Sequence, residues 1–124
     1  NELLQQADFV SLHCPLTDGT RGLIGAGQID MMKPTAYLIN TARGGIVDED
    51  ALADALKSGR IAGAGLDATA VEPLPQDSGL LSLDNCLLAP HNSNSSPEAY
   101  ERVHKNTIKN LLDHLTPAKS RGNP

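Results

Sequence analysis

The sequence runs to 124 residues, a single domain's length, and a chain of that size buries about two-thirds of its unfolded surface, so a true core is available. Apolar residues make up 40%, yet Phe9, Tyr37 and Tyr100 are the only aromatics, which makes that core aliphatic and alanine-rich, as layers of helix on parallel sheet often are. A net charge of −5 with scattered lysines and arginines argues against a nucleic-acid partner, and no apolar run approaches the roughly 18 residues of a membrane span.

The opening stretch, NELLQQADF, has neither the basic region nor the apolar run of a signal peptide, so the expected setting is cytoplasmic. Asp8 to Cys14 is rich in β-formers, stops at Pro15 and runs into the turn residues of LTDGT, which gives a strand and a loop. Between Thr20 and Lys33 the spacing of Leu23, Ile24, Ile29, Met31 and Met32 predicts a helix that ends before Pro34. Ala36 to Asn40 reads as a second buried strand, broken at TARGG. Asp48 then caps a helix with an acidic first turn at Glu49 and Asp50, Val47 and Leu52 at staple positions, and Gly59 as its stop.

A third strand, AGAGLDA, is followed by a loop through Pro73 and Pro75 and a fourth strand, NCLLAP. Ser96 caps the last helix, Pro97 fits its first position, and Ala99, Val103, Ile108, Leu111, Leu112 and Leu115 form one apolar face. Residues 117–124 are expected to be a disordered tail. Cys14 and Cys86 have no C-x-x-C or zinc spacing, so they read as free, buried thiols and no metal site is expected.

Alternating strands and helices predict an α/β fold with a parallel sheet covered on both faces, and ligands in such sheets bind beyond the carboxyl ends of the strands. Gly63-Ala64-Gly65-Leu66-Asp67-Ala68 spells G-x-G-x-x-A, the pattern of a dinucleotide-binding turn. Such a turn must leave a strand and open a helix, whereas these glycines lie inside a strand-like run that leads to two prolines. The pattern is therefore read as close packing of a small-residue strand against a helix.

Three strand-end loops carry the chemistry instead: Arg43 in NTARGG, Glu72 in AVEP and His91 in APHN. A planar guanidinium holds a carboxylate bidentately, and an imidazole exchanges a proton with a substrate oxygen near neutral pH. A carboxylate beside that imidazole favours its protonated form. Together they suit the two-electron reduction of a 2-keto acid. Each also has a plain structural reading, as a surface ion-pair partner, a solvated turn and a loop histidine.

The segments NTARGGIVDEDAL and IAGAGLDA…EP, within a match from about Ala7 to Leu115, resemble the D-isomer-specific 2-hydroxyacid dehydrogenases. The resemblance implies the second half of a Rossmann-type doubly wound parallel sheet with flanking helices. Residues 1–116 would then be the C-terminal portion of a dinucleotide-binding domain with its returning C-terminal helix. It implies an NAD(P)-dependent oxidoreductase of small D-2-hydroxy or 2-keto acids, with Arg43 anchoring the substrate carboxylate, Glu72 supporting the histidine and His91 as acid/base. For NAD or NADP it implies Asp67 at the nicotinamide end, the backbone around Thr41, Ala42 and Arg43 touching the cofactor, and Pro15 and Thr20 lining its site, with His91 and Ser93 completing the set.

Behind the histidine this chain reads HNSNSSPEAYERV, where the family has a small, glycine-containing run. The family's phosphate-binding turn and substrate domain have no counterpart in these residues, so the expectation is a fragment, inactive alone, with apolar faces uncovered and the strand near Phe9 left as a bare edge through which it self-associates; for the native oligomer the resemblance implies a dimer. A nucleotide-sensing, corepressor-like binding module on the same fold is the alternative reading.

Overall fold

A computed structural model describes residues 1–115. A short helix α1 (Glu2–Gln6) leads into a four-stranded parallel sheet of β1 (Phe9–Leu12), β2 (Tyr37–Asn40), β3 (Gly63–Leu66) and β4 (Cys86–Leu88), hydrogen-bonded in the order β1-β2-β3-β4. Between β1 and β2 lies α2 (Ala26–Ile29), between β2 and β3 lies α3 (Glu49–Lys57), and β3 returns to β4 through a 3₁₀ turn at Gly79–Ser82. The register aligns Phe9 with Tyr37 and Gly63, and Leu12 with Asn40, Leu66 and Leu88. All four strands therefore finish along one edge, where the loops that follow them gather.

Side chains alternate across a strand, and here one face is apolar and buried. Val10, Leu12, Leu38, Ala64 and Leu66 join Ile29 and Met32 of the α2 region and Leu52, Ala55 and Leu56 of α3 in a single core. The opposite face carries Phe9, Tyr37 and Leu87 at 67%, 44% and 75% exposure, with the Phe9 and Tyr37 rings stacked at 5.5 Å. The parallel sheet with flanking helices is as expected, and among the described residues the helices cover one face only. Right-handed crossovers that always step to the next neighbour deliver every connection to the same side, and a strand order that never reverses puts none on the other.

The helix expected over Thr20 to Lys33 shrinks to the single turn of α2. Ile24 forms a parallel bridge with Val47, and Gly22, at φ 63°, turns the chain ahead of it with its N–H on the Gly45 carbonyl. Apolar spacing could not separate these cases, because a buried bridge and a buried helix face both need Ile24 inward. The next helix follows its caps as read: Asp48 accepts from the Ala51 N–H at 3.1 Å, and Gly59, at φ 69°, lets the chain leave.

Both glycines of the G-x-G-x-x-A run lie within β3, and no α-helix opens behind it before β4, so the phosphate-turn reading fails as expected. The packing reason given for its glycines needs correction. A side chain at Gly63 would meet the Tyr37 ring at 2.8 Å and the Asn85 carbonyl at 3.0 Å, while Gly65 opens on free space; neither glycine receives a helix.

The chain divides into two compact units, Asn1–Asn92 and Ser93–Pro124. In the second, α4 (Pro97–Leu115) begins where the Ser96 hydroxyl accepts the Ala99 N–H at 3.1 Å, and it carries Lys105–Glu101 and Lys109–Asp113 ion pairs one turn apart. Its apolar stripe at Val103, Ile108, Leu111, Leu112 and Leu115 is exposed. The tail expected at residues 117–124 lies outside the described residues. Both cysteines are free and half-buried, and no described helix is long and apolar enough to cross a membrane.

Candidate active site

Asn40, the last residue of β2, is fully buried and organises the first of the strand-end loops. Its side-chain amide donates to the Arg43 carbonyl at 2.9 Å, its side-chain oxygen accepts from Ala42 N–H at 3.1 Å, and its own carbonyl accepts from Asp67 N–H at 2.9 Å. One buried side chain thus folds Thr41–Arg43 into a turn. The Arg43 side chain is exposed, with Nη1 donating to the Ala42 carbonyl at 2.6 Å. A polar residue ending an otherwise apolar strand was the available signal for Asn40, since burying an amide demands partners.

Glu72 stands in the turn that follows β3, and its peptide bond to Pro73 is cis. Oε1 accepts the Thr69 N–H at 3.0 Å, and Thr69 Oγ1 donates to the Val71 carbonyl at 3.0 Å, so the turn is closed on itself. His91 follows β4, and its Nδ1 lies 2.9 Å from Glu72 Oε2 and 3.0 Å from Oε1. A carboxylate only accepts, so Nδ1 carries the proton of this bond and Nε2 is left for other chemistry. The histidine bond, the Thr69 N–H and the more distant Arg43 charge together hold the Glu72 carboxyl below its ordinary value of 4.5.

His91 has φ 53°, a left-handed conformation that costs a side-chain-bearing residue about 1–2 kcal/mol. The next peptide is tied down beside it. Asn92 N–H donates to Asp67 Oδ1 at 2.8 Å, and Asp67 is a buried carboxylate, 5% exposed, at the end of β3. Asp67, Thr69, Glu72 and His91 line one cleft of about 640 Å³ whose walls include Leu74, Leu81 and Leu88. That volume is in the range of cofactor and small-ligand sites.

Of the sequence-predicted residues, the structure brings Asp67, Glu72 and His91 into this cleft. Arg43, Thr41 and Ala42 stand at the end of β2 on the same sheet edge, outside the cleft lining. Pro15 and Thr20 belong to the loop after β1, where the Thr20 hydroxyl donates to the Pro15 carbonyl at 2.7 Å. Ser93 opens the second unit. His13 is exposed, with Nε2 2.9 Å from the Ser11 hydroxyl, and His104 and His114 are exposed on α4.

Residues 1–93 match the family described as D-isomer specific 2-hydroxyacid dehydrogenase, NAD binding domain. The chain belongs to this family. It is 50% identical over 111 residues to the glyoxylate reductase of Korarchaeum cryptofilum, a match that covers 90% of this chain and 33% of that protein. Its fold is similar to an acyclic imino acid reductase, Bsp5, solved with NADPH and D-Arg (TM-score 0.85, 38% identity, 92% of this chain and 36% of that one). It is also similar to the NAD-complexed D-isomer specific 2-hydroxyacid dehydrogenase of Lactobacillus delbrueckii ssp. bulgaricus (TM-score 0.83, 35% identity, 97% and 40%). The chain spans about a third of the length of the curated relatives it matches.

The Glu72 carboxyl gives a direct pH test. A depressed acid contributes its pairing above its ordinary value and loses it as pH falls through the lowered one. In a carbon-13 titration of the side-chain carboxyls, Glu72 is expected to titrate below 4.5 and to move back up in His91→Ala. An unchanged midpoint in that variant contradicts the pairing.

Proposed function

We propose that this chain carries the hydride-transfer half-site of an NAD(P)-dependent oxidoreductase acting on a small D-2-hydroxy acid and its 2-keto form. The observation that supports this best is the His91–Glu72 pair, 2.9 Å apart and lining an apolar cleft together with the buried carboxylate of Asp67. These residues fit the nicotinamide end of the cofactor: Asp67 brings a buried carboxylate to the cleft lining, and the leucine walls suit a flat ring. Bound there, the cofactor supplies or takes up the hydride.

The chain's own residues handle the carboxylate and the proton. Glu72 fixes Nδ1–H of His91 and stabilises the imidazolium, so Nε2–H delivers a proton to the keto oxygen during reduction and takes it back during oxidation. Arg43 is exposed near enough to act on Glu72 by charge, and its guanidinium binds the substrate carboxylate through paired N–H donors. The two free cysteines support the cytoplasm as its setting.

The test is a chimera in which the matching 111 residues replace their counterpart in the Korarchaeum cryptofilum glyoxylate reductase. It is expected to oxidise NADH or NADPH with glyoxylate, and His91→Ala is expected to lower kcat by about 10²–10⁴-fold, the usual worth of a positioned acid/base. Activity within about twofold of the parent chimera would overturn the assignment, because general acid catalysis cannot be worth so little.

We also propose that the chain pairs with a second copy through the free edge of β1. That edge borders the sheet face on which the Phe9 and Tyr37 rings stack, both more than two-fifths exposed. Sedimentation at rising concentration should reveal a species larger than the monomer, whereas a strictly monomeric profile contradicts it.

A further inference from the structure

The turn that carries Glu72 is gripped from outside by a second glutamate. Glu49 occupies the first turn of α3, and its Oε1 accepts the Ala70 N–H at 2.5 Å, joining residues 21 positions apart. The neighbouring amide, Thr69 N–H, donates to Glu72. Two adjacent N–H groups thus serve two different glutamates, one lining the cleft and one outside its lining.

Glu49 is not engaged in ending its own helix. Asp48 does that through the Ala51 N–H, and Asp50 adds the second acidic charge of the first turn. A carboxylate that served only the helix dipole would sit in water, whereas that of Glu49 is half-buried, and burial together with the charges of Asp50 and Glu72 pushes its carboxyl up despite the Ala70 N–H. The peptide it holds is the one that lies against Gly44, where an added methyl group would stand 2.2 Å from Ala70 N. Gly44 leaves the room this peptide plane occupies, and Glu49 accepts its N–H.

We propose that Glu49 is a positioning residue for the His91–Glu72 pair: by holding the Ala70 N–H it orients the Thr69–Glu72 turn so that the Glu72 carboxylate meets Nδ1 of His91. This rests on the reading of that pair as the site's proton-handling groups. Without the grip, the turn gains freedom and Glu72 spends part of its time away from the imidazole.

Imidazole nitrogen-15 NMR of the 124-residue chain reads this directly and needs no turnover. At about pH 9 a histidine is neutral, and its two nitrogens report which of them holds the proton. His91, assigned by the signal lost in His91→Ala, is expected to favour Nδ1–H. Glu49→Gln keeps an acceptor oxygen for Ala70 and should preserve that preference. Glu49→Ala and Glu49→Asp, the latter one methylene too short, should shift the tautomer ratio towards Nε2–H by roughly threefold or more, the scale of one net hydrogen bond.

A preference unchanged in Glu49→Asp and Glu49→Ala overturns the positioning role and leaves the site reading intact. A wild-type His91 with no Nδ1–H preference overturns the site reading itself. Should Glu49→Ala not fold, the contrast between Glu49→Asp and Glu49→Gln decides the matter, and equal ratios in those two variants overturn the proposal.

Discussion

The peptide between Thr69 and Ala70 lies so close to Gly44 that a methyl group there would stand 1.9 Å from the Thr69 carbonyl carbon and 2.1 Å from its oxygen. No side chain fits that space, and the atoms in the way are backbone, which cannot swing aside. The bare glycine is what lets the loop after β2 touch the loop after β3. From this contact follow the nearness of the Arg43 charge to Glu72, the closed Thr69–Glu72 turn and the carboxylate presented to His91. The site is assembled by backbone contact first and by side-chain chemistry second.

Parallel strands make this economical, because every loop that follows a strand emerges at the same edge. Asn40 and Asp67 use that geometry from within the sheet. Each is a buried polar residue at a strand end, and each spends its polar atoms on loop amides, Asn40 on Ala42 and Asp67 on Asn92. Their partners shape the turns that present Arg43 and His91. The left-handed backbone at His91 belongs to the same arrangement, since the local strain is offset by the Asn92 hydrogen bond and aims the imidazole at Glu72.

The strands were legible because short β-rich runs ended at proline or glycine, and α3 was legible because Asp48, Glu49, Asp50 and Gly59 are local signals that need no tertiary context. Glu72 and His91 could be named from their strand-end loops. Their meeting could not, since it depends on how β3 and β4 align. What stayed hidden was set by packing at a distance. Ile24 went to a bridge with Val47 instead of a helix, Gly63 made room for a ring on β2, and the uncovered sheet face follows from a strand order that no local pattern encodes. Glu49 looked like an ordinary first-turn acid, and only the fold shows where its carboxylate goes.

Urea unfolding of Gly44→Ala beside Gly65→Ala tests the glycine contact most directly. A methyl group at Gly65 meets nothing within 4 Å, so that change should leave stability within about 0.5 kcal/mol of the parent. The same methyl group at Gly44 must push two backbone segments apart and should cost about 2 kcal/mol or more. Equal, small effects at the two positions would contradict the claim that the strand-end loops are held together through the space a glycine leaves.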